Sequence, residues 1–246
     1  MRVHLIIASI LLCTAPVLAA QGSTLTADEV VANMYRSDTL RESASGGYTG
    51  TREYVVENHQ LQKRARMLAR VTCDPTGTKH FEVTSEDGWK SASNHVLRPM
   101  LETESDSSRP DTRPQNRVTA DNYTFQLIDI EPLDGRTAYV IQAIPKREDK
   151  SLFRGRIWVD TEDYALARVE GEPAKNPSFW TKKVQFVQQY QKSGAYWFPA
   201  ETTSITEARI FGTTEVSIRY FDYTPAVRTS TRAANYSITE AQYATR

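Results

Sequence analysis

The sequence predicts a mainly β fold with a flanking helix (α+β): a half-open, curled antiparallel β-barrel of about ten or eleven strands, closed by helices. Three observations predict it. From Tyr48 to Tyr223 apolar residues recur with period two, in short runs. Explicit turn residues separate the runs: Asp74-Pro-Thr-Gly77, Glu86-Asp-Gly88, Leu133-Asp-Gly135, Thr161-Glu-Asp163, Lys192-Ser-Gly194 and Phe211-Gly212. The strands follow one another at a spacing of about 8–14 residues, which favours a meander over a parallel α/β sheet.

The elements follow in order. Arg2 and His4, the apolar run from Leu5 to Leu12 and the small residues up to Ala20 form an export signal over residues 1–20, cleaved near Ala19 or Ala20. The run is too short to span a bilayer, which needs about 20 apolar residues. Thr26 and Glu29 form a capping box for a helix over residues 27–36, with Val30 and Met34 on one face. Ser43-Ala-Ser-Gly-Gly47 breaks it. Strands are expected over residues 48–57, 60–73 and 79–85, with 89–97 as a fourth. Residues 99–117 lose nearly all large apolar side chains and read as a mobile excursion, or as a short helix followed by a loop. The meander resumes with strands over residues 123–130, 137–145, 152–160, 165–170, 182–191, 197–207 and 213–223. Residues 21–225 form one domain, and residues 226–246 a weakly ordered tail.

Composition narrows the function. Thirty basic residues balance thirty acidic ones, so no long-range pull on nucleic acid is expected. After cleavage Cys73 stands alone, which excludes an internal disulfide and a zinc cluster. His59, His80 and His95 lack metal spacing, and no nucleophile elbow or phosphate-binding glycine loop occurs. Asp160, Glu162 and Asp163 cluster at a turn without the spacing of a calcium loop. No catalytic residue, metal or cofactor is therefore expected, and the chain is read as no enzyme and as a monomer.

The positive signal is aromatic. Tyr54, Phe125, Ile157 and Phe186 lie on the apolar parity of their strands, although Ile157 competes with Trp158 for the inward position. Several strands carry apolar residues on both faces, such as Ile157-Trp-Val159 and Tyr139-Val-Ile141. A barrel interior larger than its own side chains fill would look like this, and such barrels hold apolar ligands. A plain two-layer core would look the same.

The stretch Gly155-Arg-Ile-Trp-Val-Asp160, followed by Arg168-Val-Glu170, resembles a strand–turn–strand motif of the outer-membrane lipoprotein-sorting and carrier proteins, the LolA-like superfamily. Asn122-Tyr-Thr-Phe125, Leu133-Asp-Gly-Arg136 and Tyr139-Val-Ile141 resemble the preceding pair, and Phe186-Val-Gln-Gln-Tyr190 with Tyr196-Trp-Phe-Pro199 the next. The resemblance implies a periplasmic carrier that binds lipoprotein acyl chains or other lipids in an apolar cavity. It also implies a membrane-bound donor or acceptor protein as partner. An envelope-stress sensor with a protein partner, or a structural envelope protein, would share the fold. The Arg-Pro pair of the carriers corresponds here to Asp74-Pro75, so no family binding residue transfers. Tyr54, Phe125, Ile157 and Phe186 are the expected cavity lining on strand parity alone.

Overall fold

A computed structural model describes residues 25–176, 181–209 and 212–226. The export signal, and the tail beyond residue 226, lie outside the described residues. Among those described, no helix is long and apolar enough to cross a membrane.

Helix α1 (Ala27–Ala44) opens as the sequence requires. Thr26 Oγ1 accepts from Glu29 N at 3.3 Å, and Glu29 Oε2 accepts from Thr26 N at 2.8 Å. Two orphan donors of the first turn are thus satisfied reciprocally. The helix runs two turns past the expected end at Arg36, to a cap at Ser45. Its second half has no apolar period. It is held by polar contacts instead: Arg41 donates to the carbonyls of Asp163 and Tyr164.

Ten strands follow: β1 (Tyr48–Asn58), β2 (Lys63–Cys73), β3 (Lys79–Gly88), β4 (Tyr123–Leu133), β5 (Arg136–Pro145), β6 (Phe153–Asp160), β7 (Leu166–Pro173), β8 (Thr181–Ser193), β9 (Tyr196–Ala208) and β10 (Gly212–Pro225). They form one sheet in the order β3-β2-β1-β10-β9-β8-β7-β6-β5-β4, and the pairs are antiparallel. The chain closes the middle of the sheet by pairing β1 with β10. The edges β3 and β4 do not meet, so the barrel is half open.

The segment between those edges departs from the expected fourth strand. Residues 90–97 are helical, with Trp89 as the extended cap: α2 (Lys90–Ala92), a π turn (Ser93–Leu97) and α3 (Arg98–Ser108) run as one rod, followed by a 3-10 turn (Arg113–Gln115). The π turn sits just ahead of Pro99, whose missing N–H and bulky ring are incompatible with a regular α-helical bond back to residue 95. Residues 99–117 are thus a short helix and a loop. Trp89, Ala92, Val96, Leu97, Met100 and Leu101 share one side of the rod at helical spacing and pack together against the sheet.

The two helical pieces divide the concave face. Val30, Val31 and Met34 of α1 seat on Ile141, Ile157, Val159 and Val169, with Phe125, Phe186 and Tyr190 around them. Leu97 and Leu101 seat on Tyr54, Val56, Met67 and Ile218. Ile157 is the inward residue of its pair. Trp158 faces the other way and is still nearly buried, because Arg156 and Arg168 lie over its ring at 5.2 and 5.0 Å and its Nε1 donates to Glu131. Long basic side chains cover the apolar residues of the convex face.

Candidate functional site

Between α1 and α3 lies a cavity of about 820 Å³. Its apolar surface comes from Met34, Tyr48, Val118, Leu166 and Tyr190, and its polar rim from Asp38, Glu42, Lys79, Glu104, Arg113 and Arg117. That size and this mixture of apolar surface with a few polar groups are those of a ligand site. A second cleft of about 520 Å³, lined by Val31, Tyr35, Pro114 and Phe125, lies on the other side of the Glu42–Arg117 contact.

Asp38 and Glu42 of the rim come from α1, Lys79 from β3 and Glu104 from α3, and β1 sets Arg52 behind Glu104. Arg52 has the inward parity of Tyr54 and Val56 on β1 and is 1 % exposed. Its guanidinium lies between the rings of Phe81 and Tyr220, at 5.0 and 4.8 Å from their centres. Its Nη1 donates to Tyr54 Oη at 3.3 Å and to Glu104 Oε2 at 2.5 Å. Glu104 reaches down from α3, and its other oxygen accepts from Lys79 Nζ at 2.7 Å. Arg52 Nε and Nη2 are buried without a hydrogen-bond partner. The backbone of Lys79 fixes α3 separately: its N–H donates to Ser108 Oγ and its carbonyl accepts from Ser105 Oγ, each at 2.8 Å.

Burial alone would raise the Glu104 carboxyl. Lys79 and Arg52 outweigh it and hold the group at about 2, against an ordinary 4.5. Burial pushes Asp38 above the usual carboxylate range, with the Arg41 contact offsetting part of the rise. On the opposite wall Glu42 serves both Arg117 and Arg113, the latter at 3.5 Å. Arg117 also lies over the Tyr35 ring at 5.4 Å. Asn122 folds the loop around this wall by donating to the carbonyls of Pro114 and Arg117 at 2.9 and 2.8 Å.

The four residues expected from strand parity all lie on the concave side, but not together. Tyr54 is under α3 and 1 % exposed. Ile157 is fully buried beneath α1. Phe125 and Phe186 are half-buried beside it, and Phe125 lines the smaller cleft. None of the four lines the larger cavity. Strand parity did not identify Arg52, Lys79 and Glu104. Their one legible signal was an arginine on the inward parity of β1, between Tyr48 and Tyr54. Among the described residues, no group of three or more histidines, cysteines or carboxylates is placed to hold a metal ion.

The motif Gly155-Arg-Ile-Trp-Val-Asp160 is structural. Asp160 is 2 % exposed and accepts from Arg136 Nε and Nη2 at 2.5 and 2.8 Å. It also accepts from the N–H groups of Glu162 and Asp163, which closes the β6–β7 turn. Gly155 and Gly171 face each other across β6 and β7 so closely that a Cβ on Gly155 would lie 2.0 Å from the Glu170 carbonyl oxygen.

Comparison with known proteins places these features beside several families. A family model described as "Family of unknown function (DUF5686)" matches residues 112–224. No curated protein matches the chain. Among solved structures, the chain is similar to a putative outer membrane lipoprotein-sorting protein domain from Vibrio parahaemolyticus. The two are 13% identical with a TM-score of 0.41, over 83% of this chain and 96% of that one. It is similar to a DUF1329 family protein from Desulfovibrio piger at 16% identity and a TM-score of 0.42, over 82% and 95%. It is also similar to a LolA superfamily protein from Nitrosomonas europaea at 12% identity and a TM-score of 0.38, over 85% and 97%.

Proposed function

We propose that the protein is an exported, non-catalytic carrier that binds acyl chains in the cavity between α1 and α3 and passes them on in the periplasm toward the outer membrane. The observation that carries this reading is the cavity itself: about 820 Å³ of space, with apolar surface from Met34, Tyr48, Leu166 and Tyr190. An acyl chain in water leaves each CH₂ exposed at a cost of about 0.8 kcal/mol, so a chain of a dozen carbons gains roughly 10 kcal/mol from complete shelter. Longer chains extend beneath α1 over Phe125, Ile157 and Phe186, and beneath α3 over Tyr54. A membrane-bound donor or acceptor protein supplies and receives the cargo.

Binding of a fluorescent fatty acid to protein purified without detergent tests the reading. The wild-type chain binds in the micromolar range or tighter. Leu166→Asp, on the cavity wall, abolishes binding, because an unpaired charge on apolar surface costs several kcal/mol. Circular dichroism on the variant separates lost binding from a lost fold. Should the folded wild-type protein ignore every acyl probe and instead retain a protein partner through purification, the carrier reading gives way to that of an envelope-stress sensor.

A further inference from the structure

Beside the cavity, two clusters each set two cations against one carboxylate. Arg52 and Lys79 share the single carboxylate of Glu104. Across the cavity, Arg113 and Arg117 share that of Glu42. The two cations of the first trio are not equivalent. Arg52 is sealed from solvent and stacked between two rings, so its charge depends on Glu104. The side chain of Lys79 is 26 % exposed and lines the cavity wall, next to the apolar surface of Tyr48 and Tyr190. It is the cation in excess. Arg52 also keeps two buried donors, Nε and Nη2, that nothing accepts. Native interiors seldom leave such groups unmet.

We propose that the cavity recognises an anionic single-chain amphiphile, its carboxylate or phosphate head paired with Lys79 Nζ and its chain on Met34, Tyr48, Leu166 and Tyr190. This rests on the carrier reading and adds the chemical class of the cargo. Pairing the head with Lys79 leaves Glu104 to Arg52 alone. Each cation of the trio then has its own anion, and the Arg52 fork can take Glu104 through a second donor, the bidentate geometry that guanidinium favours. Arg113 and Arg117 add positive charge on the facing wall. A neutral chain of equal length gains the same apolar burial without the ion pair, so the head group sets the preference.

Displacement of a neutral fluorescent acyl probe from the full chain measures this, with dodecyl phosphate, dodecanol and inorganic phosphate as competitors. Dodecyl phosphate is expected to bind about tenfold more tightly than dodecanol, a difference of about 1.4 kcal/mol. Inorganic phosphate alone is expected not to compete. Lys79→Met is expected to bring the two chains to equal affinity; its backbone bonds to α3 remain. Equal affinities in the wild-type protein overturn the inference without touching the carrier reading, and that outcome does not depend on the variant folding. A folded Lys79→Met variant with the preference intact overturns the assignment to Lys79. Competition by inorganic phosphate at the same concentration as dodecyl phosphate makes this a free-anion site and overturns the amphiphile. Failure of both chains to bind overturns the carrier reading together with the inference.

Discussion

Glu104 is the residue on which the interior depends. It is the carboxylate for a fully buried arginine, and its removal leaves that charge uncompensated. Glu104→Gln is expected to lower the unfolding free energy at pH 7 by about 3–5 kcal/mol, measured by urea denaturation. The effect has a fixed dependence on pH. The folded-state value of about 2 lies below the ordinary 4.5, so the stabilisation is complete above 4.5 and lost as the pH falls toward 2. The gap between wild type and Glu104→Gln should therefore narrow from pH 4.5 to pH 2. A gap that stays constant over that range contradicts the pairing. Asp160 makes a comparable case at the other end of β6. Asp160→Ala strips Arg136 of its buried partner and uncaps the turn, and should cost about 3 kcal/mol in the same assay. The turn reading of this carboxylate cluster could be made from sequence, because Thr161-Glu-Asp163 sits between two apolar runs. The partner, Arg136, could not, because it comes from a different hairpin.

Elements whose side-chain period is local were legible, and those that depend on distant partners were not. The capping box at Thr26 and the alternation of β1, β4, β6 and β9 are properties of adjacent residues, and the structure carries them at or near the expected positions. The first half of the rod from Lys90 to Ser108 reads as a strand and the second as an excursion or short helix, because its apolar stripe crosses the composition change near Pro99. Cutting the window there hides Met100 and Leu101, the residues that complete the helical spacing of Trp89, Ala92, Val96 and Leu97. The second half of α1 carries no apolar period to read, since contacts such as Arg41 with the β6–β7 turn hold it. The β6–β7 pair leaves no room for a side chain where its two glycines face each other. Gly155→Ala forces a methyl into the Glu170 carbonyl and the Gly171 backbone, with no flexible side chain to yield. It should destabilise the fold by about 3 kcal/mol or more in thermal or urea unfolding. Gly135→Ala, whose added Cβ meets nothing within 4 Å, provides the contrast of a cost from backbone strain alone at φ 79°.

At the scale of the molecule, a ten-stranded sheet leaves β3 and β4 unpaired with each other, and the chain between them becomes the helical cover of one half of the concave face. Helix α1 covers the other half, and the cavity lies where the two covers meet. The sequence indicated the curled sheet and its apolar inner face. It could not place the seam, because that requires knowing which strands fail to pair. Nor could it show Arg52, Lys79 and Glu104 converging, since they come from β1, β3 and α3. The central claim, that this seam shelters an acyl chain, is tested most directly by native mass spectrometry of the full protein exported by its own host and purified without detergent. The account predicts a population heavier than the mature chain by the mass of a single-chain or lipoprotein-derived lipid, released on denaturation and depleted in Leu166→Asp. A wild-type spectrum containing only the bare chain, from protein that also takes up no added lipid, would contradict it.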